Sequence, residues 1–212
     1  MQINKEFLKS LNPCADRYKH FLEHHGEFNG SLSEFMELPN VAYSDKVWVA
    51  EKVLTQNQAV SWATLCAESV VSIFEAKYPK DKRLSNCIKF LKSVNDFNSL
   101  TIDQALEVRR HESAARAACV SSGTSGADGV IAARGASGAS VFESAHAVHA
   151  AAYAATASHD AHATSAAVRS ATCAAFAAFH AAFYADLDSN KIAAFKNQEA
   201  LNLQFLRMAC SL

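Results

Sequence analysis

Hydrophobic positions in this chain recur at three and four residues, and polar punctuation cuts the pattern into helical lengths. Asn12-Pro13 reads as an N-cap followed by proline at the first helical position, with Tyr18, Phe21 and Leu22 on one side of a helix that Gly26 closes. Ser31-Leu32-Ser33-Glu34 spells a capping box for a short helix stopped by Pro39. Further helices are expected over residues 44–54 around Trp48, over 58–78, and over 81–94. The second of these carries Trp62, Leu65, Cys66, Ser69, Val70 and Ile73 as its stripe, and the third Leu84, Cys87, Ile88 and Leu91. Thr101-Ile102-Asp103-Gln104 makes another capping box, ahead of a helix reaching Ser121. No segment alternates with period two, so no sheet is expected.

Pro13, Pro39 and Pro79 are the only prolines, which leaves the remainder free to be helical. One helix is expected from about residue 140 to 158, another ending near 187, and a last over 189–209. Phe176, Phe179 and Phe183 fall on one stripe with Thr172 and are assigned to the core, with Ile192, Phe195, Leu203 and Leu206 from the last helix.

Composition changes this picture in the second half. Of the 72 residues from Ala114 to Ala185, 29 are alanine. Alanine is the strongest helix former but buries little area, so such helices gain stability by approaching one another closely. The expected fold is all-α: a compact multi-helix bundle with an N-terminal helical region, 1–108, and an Ala-rich block of close-packed helices, 109–212, packed together. Between Gly123 and Gly138 every third residue is Gly or Ala, with Ser121, Ser122 and Ser125 nearby. That segment reads as a loop or broken helix, or else as a small-residue edge lying against a neighbouring helix.

Charge adds little direction. Residues 1–112 hold 14 Lys/Arg against 15 Asp/Glu and residues 113–212 hold 6 against 6, so neither half advertises a field for nucleic acid. The six cysteines show no C-x-x-C pair and no secretory segment precedes them, which suggests reduced core residues in a cytoplasmic protein. No membrane span is expected.

The candidate chemistry lies in two groups. His146-x-x-His149 and His159-x-x-His162 are pairs at helical spacing, and Glu143 extends the first to E-x-x-H-x-x-H, a possible metal-ligand set. On one continuous helix the second pair is turned by roughly 220° from the first, so only a hairpin near Thr156 brings them together. The competing reading is polar residues bonding between close helices. Arg109, Arg110 and Arg116, with Arg134 beyond, are candidates for gripping a phosphate or carboxylate. Cys119 and Cys173 coexist with histidines, yet neither stands in a nucleophile signature. No catalytic residue is assigned and no cofactor is expected.

Four stretches carry a resemblance: Asn12-Pro13-Cys14 leading to Tyr18 and Phe21; the Trp48 segment with Trp62 after it; Arg109-Arg110-His111-Glu112-Ser113-Ala114-Ala115-Arg116-Ala117-Ala118; and the closing residues Asn197 to Arg207. In these the chain resembles a bacterial and phage family of alanine-rich helical immunity proteins. It departs from the family pattern in the Gly123–Gly138 interruption and in histidines standing among the alanines, as an acquired ligand site would explain. The resemblance implies a non-enzymatic protein that binds and neutralises a protein partner, a toxin or a defence factor, with phage counter-defence as one setting. The alternatives are a sponge for a small nucleotide ligand, using the Gly-rich segment and the arginines, and a His-ligated metal protein. Partners are thus a protein or a nucleotide, with no nucleic acid and no membrane, and close-packed helices suit a homo-oligomer.

Overall fold

The computed structural model describes residues 1–121, 135–157, 160–184 and 190–211, with side chains described outside 135–142, 160–161, 179–184 and 190–191. Among them ten helices follow one another: α1 (Lys5–Ser10), α2 (Ala15–His25), α3 (Leu32–Glu37), α4 (Tyr43–Val53), α5 (Gln56–Lys77), α6 (Arg83–Ser93), α7 (Ile102–Ser121), α8 (Gly135–Thr156), α9 (Asp160–Tyr184) and α10 (Asn190–Cys210). The all-α reading therefore holds, with one addition. Strands β1 (Ile3–Asn4) and β2 (Asn29–Gly30) pair antiparallel, Ile3 opposite Gly30. Two residues are too few to show alternation, so no period could announce them.

Local chemistry explains several helix starts. Ser31 and Glu34 form the expected capping box, and Thr101 and Gln104 exchange the same reciprocal bonds. A third box, Thr55 with Gln58, starts α5. Asn12 behaves differently from its expected role: it adopts φ 56°, a left-handed conformation that asparagine tolerates, just beyond α1. The next helix starts only at Ala15, with Cys14 as its N-cap. Asn12-Pro13 is a stop and a turn rather than a start.

α5 is the axis of the molecule. It is 22 residues long and apolar enough to cross a membrane by length and composition, but its Trp62, Ala63, Cys66, Ala67, Val70 and Phe74 are buried beneath α6, α8, α9 and α10. That is the burial of a core helix. The most extensive helix pairing is α8 against α9, followed by each of these against α5. The buried faces of α8 and α9 are alanine: Ala145, Ala147, Ala151, Ala152, Ala154, Ala163, Ala167, Ala174 and Ala177 have no exposed surface.

Because the backbones lie close, short polar side chains reach carbonyl oxygens on neighbouring helices. The Ser170 hydroxyl lies 3.0 Å from the Ala63 carbonyl and 2.9 Å from that of Ala147, where α9, α5 and α8 meet. Ser144 donates to Val70, and Thr164 to Glu51. The buried Gln56 amide donates to the carbonyls of Ala154, Ala155 and Ala157, satisfying the C-terminus of α8. Trp62 donates its indole N–H to the carbonyl of Asn202, whose own amide reaches Ala171. These buried polar side chains are thus hydrogen-bonded, as burial without partners would be costly.

The alanine faces also overturn one expectation. Phe176 is 42% exposed and Thr172 is exposed, so these two face outward and Phe176 meets Phe195 edge-on instead of entering the core. Alanine lets α9 sit nearer its neighbours than phenylalanine would, and Phe176 stands on the opposite face. Phe179 and Phe183 fall where side chains are not described. Of the last helix, Leu206 is fully buried, Leu203 and Phe195 partly so, and Ile192 is exposed. Residues 123–134 of the Gly-rich segment lie outside the described residues, while 135–138 form the start of α8.

Asp96 fastens the connection between α6 and α7 to the start of α5. Its carboxylate accepts from Asn57, from Ser99 and from the Asn98 backbone. These bonds hold the acid down at about 2, below its ordinary 3.8, with Ser99 as the largest cause. A depressed acid stabilises the fold above its unfolded value, and that stability disappears as pH falls toward the folded value. Asp96→Asn is therefore expected to lose less stability than the wild type between about pH 4 and pH 2 in denaturant titrations. An unchanged acid limb would show that the connection is held by other bonds.

Candidate functional site: a polar seam between three helices

α7, α8 and α9 meet at a small cleft of about 180 Å³ lined by Glu112, Arg116, His149, Ala150, Tyr153, Ala166 and Arg169. Three elements contribute because Arg116 stands one turn beyond Glu112 on α7, His149 and Tyr153 are four apart on α8, and Arg169 arrives from α9. Ala150 and Ala166 form the floor, so the long side chains rise from a flat base. Arg116 and Arg169 are exposed and Tyr153 is 48% exposed. His149 Nε2 lies 3.5 Å from the Glu112 carboxylate. Burial lowers the pKa of His149, with Glu112 acting in the opposite sense and the two arginines adding to the lowering.

One turn back along α8 the seam becomes more enclosed. Glu143 and His146 project from α8 toward Cys173 of α9, and their ligand atoms all lie within 4.8 Å of one another. Glu143 and Cys173 are hydrogen-bonded. Burial pushes the Glu143 carboxyl up and the Cys173 thiol well up, and it lowers the His146 imidazole, an effect increased by His149 and Arg169. His146 and His149 stack with ring centroids 5.9 Å apart.

The residues singled out from the sequence thus separate. Glu143, His146 and His149 share the seam, but His149 turns to Glu112. His162 is exposed at the other end of α9, and His159 lies outside the described residues. α8 and α9 pack antiparallel, with Ser170 bonded to Ala147 and Cys173 beside Glu143, so residues equally far from the connection lie opposite each other. His162 is therefore close to the connection while His146 is about three helical turns from it. The arginines diverge as well: Arg110 pairs with Glu107 on the side facing Phe90, Arg116 enters the cleft, Arg109 is exposed, and Arg134 lies outside the described residues. His111 stacks on Phe90 at 4.8 Å.

Cys173 and Arg169 were not legible as partners of these groups, because both depend on which α9 residues oppose α8. Cys173 does not fit a nucleophile. Its thiol is buried and pushed up, whereas a reactive cysteine needs an electropositive, partly open setting that lowers it.

A second cleft, of about 340 Å³, opens among α1, α2 and α4. Phe21, Phe35 and Trp48 contribute aromatic walls, and the Arg17–Asp45 ion pair at 2.9 Å stands at its edge.

A family model described as Imm-5 like putative immunity protein matches residues 51–178, more than half of the chain. That span runs from the end of α4 into α9, so it includes the seam and omits the second cleft. No curated protein and no solved structure matches the chain.

Proposed function

We propose, because this chain belongs to the Imm-5 like immunity protein family, that it neutralises a protein toxin by binding it through the α7–α8–α9 seam in the cytoplasm of a bacterial cell. Immunity proteins act by occupying a partner, and the family span places the seam inside the shared region. The observation that carries the reading is the exposure of Arg116, Tyr153 and Arg169 together on an alanine-floored surface. Arginine and tyrosine are the residues that anchor protein interfaces, and they do so best from a scaffold that needs no reordering. Phage counter-defence is the same chemistry in another setting, with a host defence factor as the neutralised protein.

The size of the cleft favours a protein over a nucleotide. About 180 Å³ admits one inserted side chain or carboxylate, whereas pockets that enclose small molecules measure about 300–1,000 Å³. Purification from the natural host under native conditions, followed by mass spectrometry of the intact complex, tests this directly. A stoichiometric polypeptide that dissociates from an Arg116→Glu/Arg169→Glu variant is the expected result. A stoichiometric nucleotide in its place would overturn the reading in favour of a sponge.

A further inference from the structure

We propose that Glu143, His146 and Cys173 form a binding site for one zinc-class divalent transition-metal ion, half-buried in the seam between α8 and α9. The donors come from two helices in fixed relation: positions 143 and 146 share one face of α8, and Cys173 meets them across the most extensive helix pairing among the described residues. Tetrahedral bonds of about 2.0–2.3 Å place donor atoms about 3.3–3.8 Å apart. Donors already within 4.8 Å need close in by at most about 1–1.5 Å, within the reach of side-chain rotations.

The donor set selects the metal. A thiolate with an imidazole and one carboxylate suits zinc and its softer neighbours and disfavours magnesium and calcium, which take oxygen. Charge suits burial too, since a dication with one thiolate and one carboxylate sums to zero, avoiding the penalty of an uncompensated ion. As the bonds form, the Cys173 thiol proton goes to solvent, as does any proton on Glu143, and nothing is oxidised or reduced. Around the donors, His149 stacks on His146 and reaches Glu112, a support that limits how the ligand ring can turn.

Another trio, His20, Glu23 and His24 on α2, is weaker. All three are exposed on a single helix, and ring nitrogens of both histidines already meet backbone carbonyls of Asn40 and His20. The Glu143–His146–Cys173 trio stands independently of the toxin reading: its failure would leave the seam's outer surface intact.

Cobalt titration of the full-length protein is the test, because thiolate-bound cobalt shows a ligand-to-metal charge-transfer band in the near ultraviolet. The expected result is saturation at one equivalent with that band present, retention in Cys14→Ala, and loss in Cys173→Ala. His146→Gln, monitored by circular dichroism to confirm its fold, should weaken binding about tenfold or more. Absence of the band from the wild type, or its persistence in folded Cys173→Ala, overturns the proposal. Should Cys173→Ala fail to fold, the wild-type and His146→Gln titrations decide it: unaltered affinity in His146→Gln excludes the site.

Discussion

Trp62→Ala is expected to remove about 3–5 kcal/mol of folding stability, seen as a lower denaturant midpoint with an unchanged slope. Trp62 is fully buried in the first third of α5, the helix on which α8, α9 and α10 all rest. Truncation leaves a cavity that close-packed alanines cannot fill, because alanine has no side-chain torsion with which to reach into it. It also deprives the Asn202 carbonyl of the indole N–H that now lies 2.9 Å away. Trp62→Phe separates the two causes: it restores most of the volume without the donor, so its smaller loss, about 1–3 kcal/mol, measures the orphaned carbonyl and the residual gap. A loss below about 1 kcal/mol for Trp62→Ala would mean that α5 is not the axis described here.

Ala63→Leu should destabilise through the opposite fault. Ala63 has no exposed surface, and its carbonyl shares the Ser170 hydroxyl with that of Ala147, so three helix backbones converge around it. Three additional heavy atoms at that point must push α9 or α8 away, and overpacking of this kind costs about 1–3 kcal/mol or more. The same substitution at Ala117, exposed on α7, should be nearly neutral, since leucine and alanine differ little in helix propensity. Thermal or denaturant unfolding of both variants supplies the comparison. Equal behaviour would show that the alanines serve only to favour helix formation and that close approach contributes nothing.

That contrast also marks what the residues themselves disclosed. Capping boxes at Ser31 and Thr101 were readable because the reciprocal bonds depend on four consecutive residues. The stripe Leu84, Cys87, Ile88 and Leu91 was readable because α6 buries one face only. Where alanine lines several faces, the usual inference fails: periodicity of large residues put Phe176 inside, although the closest contacts belong to the smallest side chains. Asn12 misled for a related reason, since asparagine suits both a helix start and a left-handed stop, and only the backbone decides.

The site was legible in part. Glu143, His146 and His149 announced themselves by spacing, but Cys173 is about 30 residues further on. Glu143 and Cys173 each lie about 15 residues from the turn near residue 158, so an antiparallel hairpin centred there would have paired them. No glycine or proline marks that turn. The end of α8 is held by Gln56, about 100 residues away in the sequence and so beyond any local reading.

Inhibition of a toxin recovered with this chain from its natural host tests the central claim most directly, measured by titrating that purified toxin with the full-length chain. Complete inhibition at one chain per toxin is expected, lost in Arg116→Glu/Arg169→Glu while circular dichroism stays unchanged. Full inhibition by that charge-reversed variant would contradict the assignment of the seam, and toxin activity that persists beside an excess of folded wild-type chain would contradict neutralisation itself.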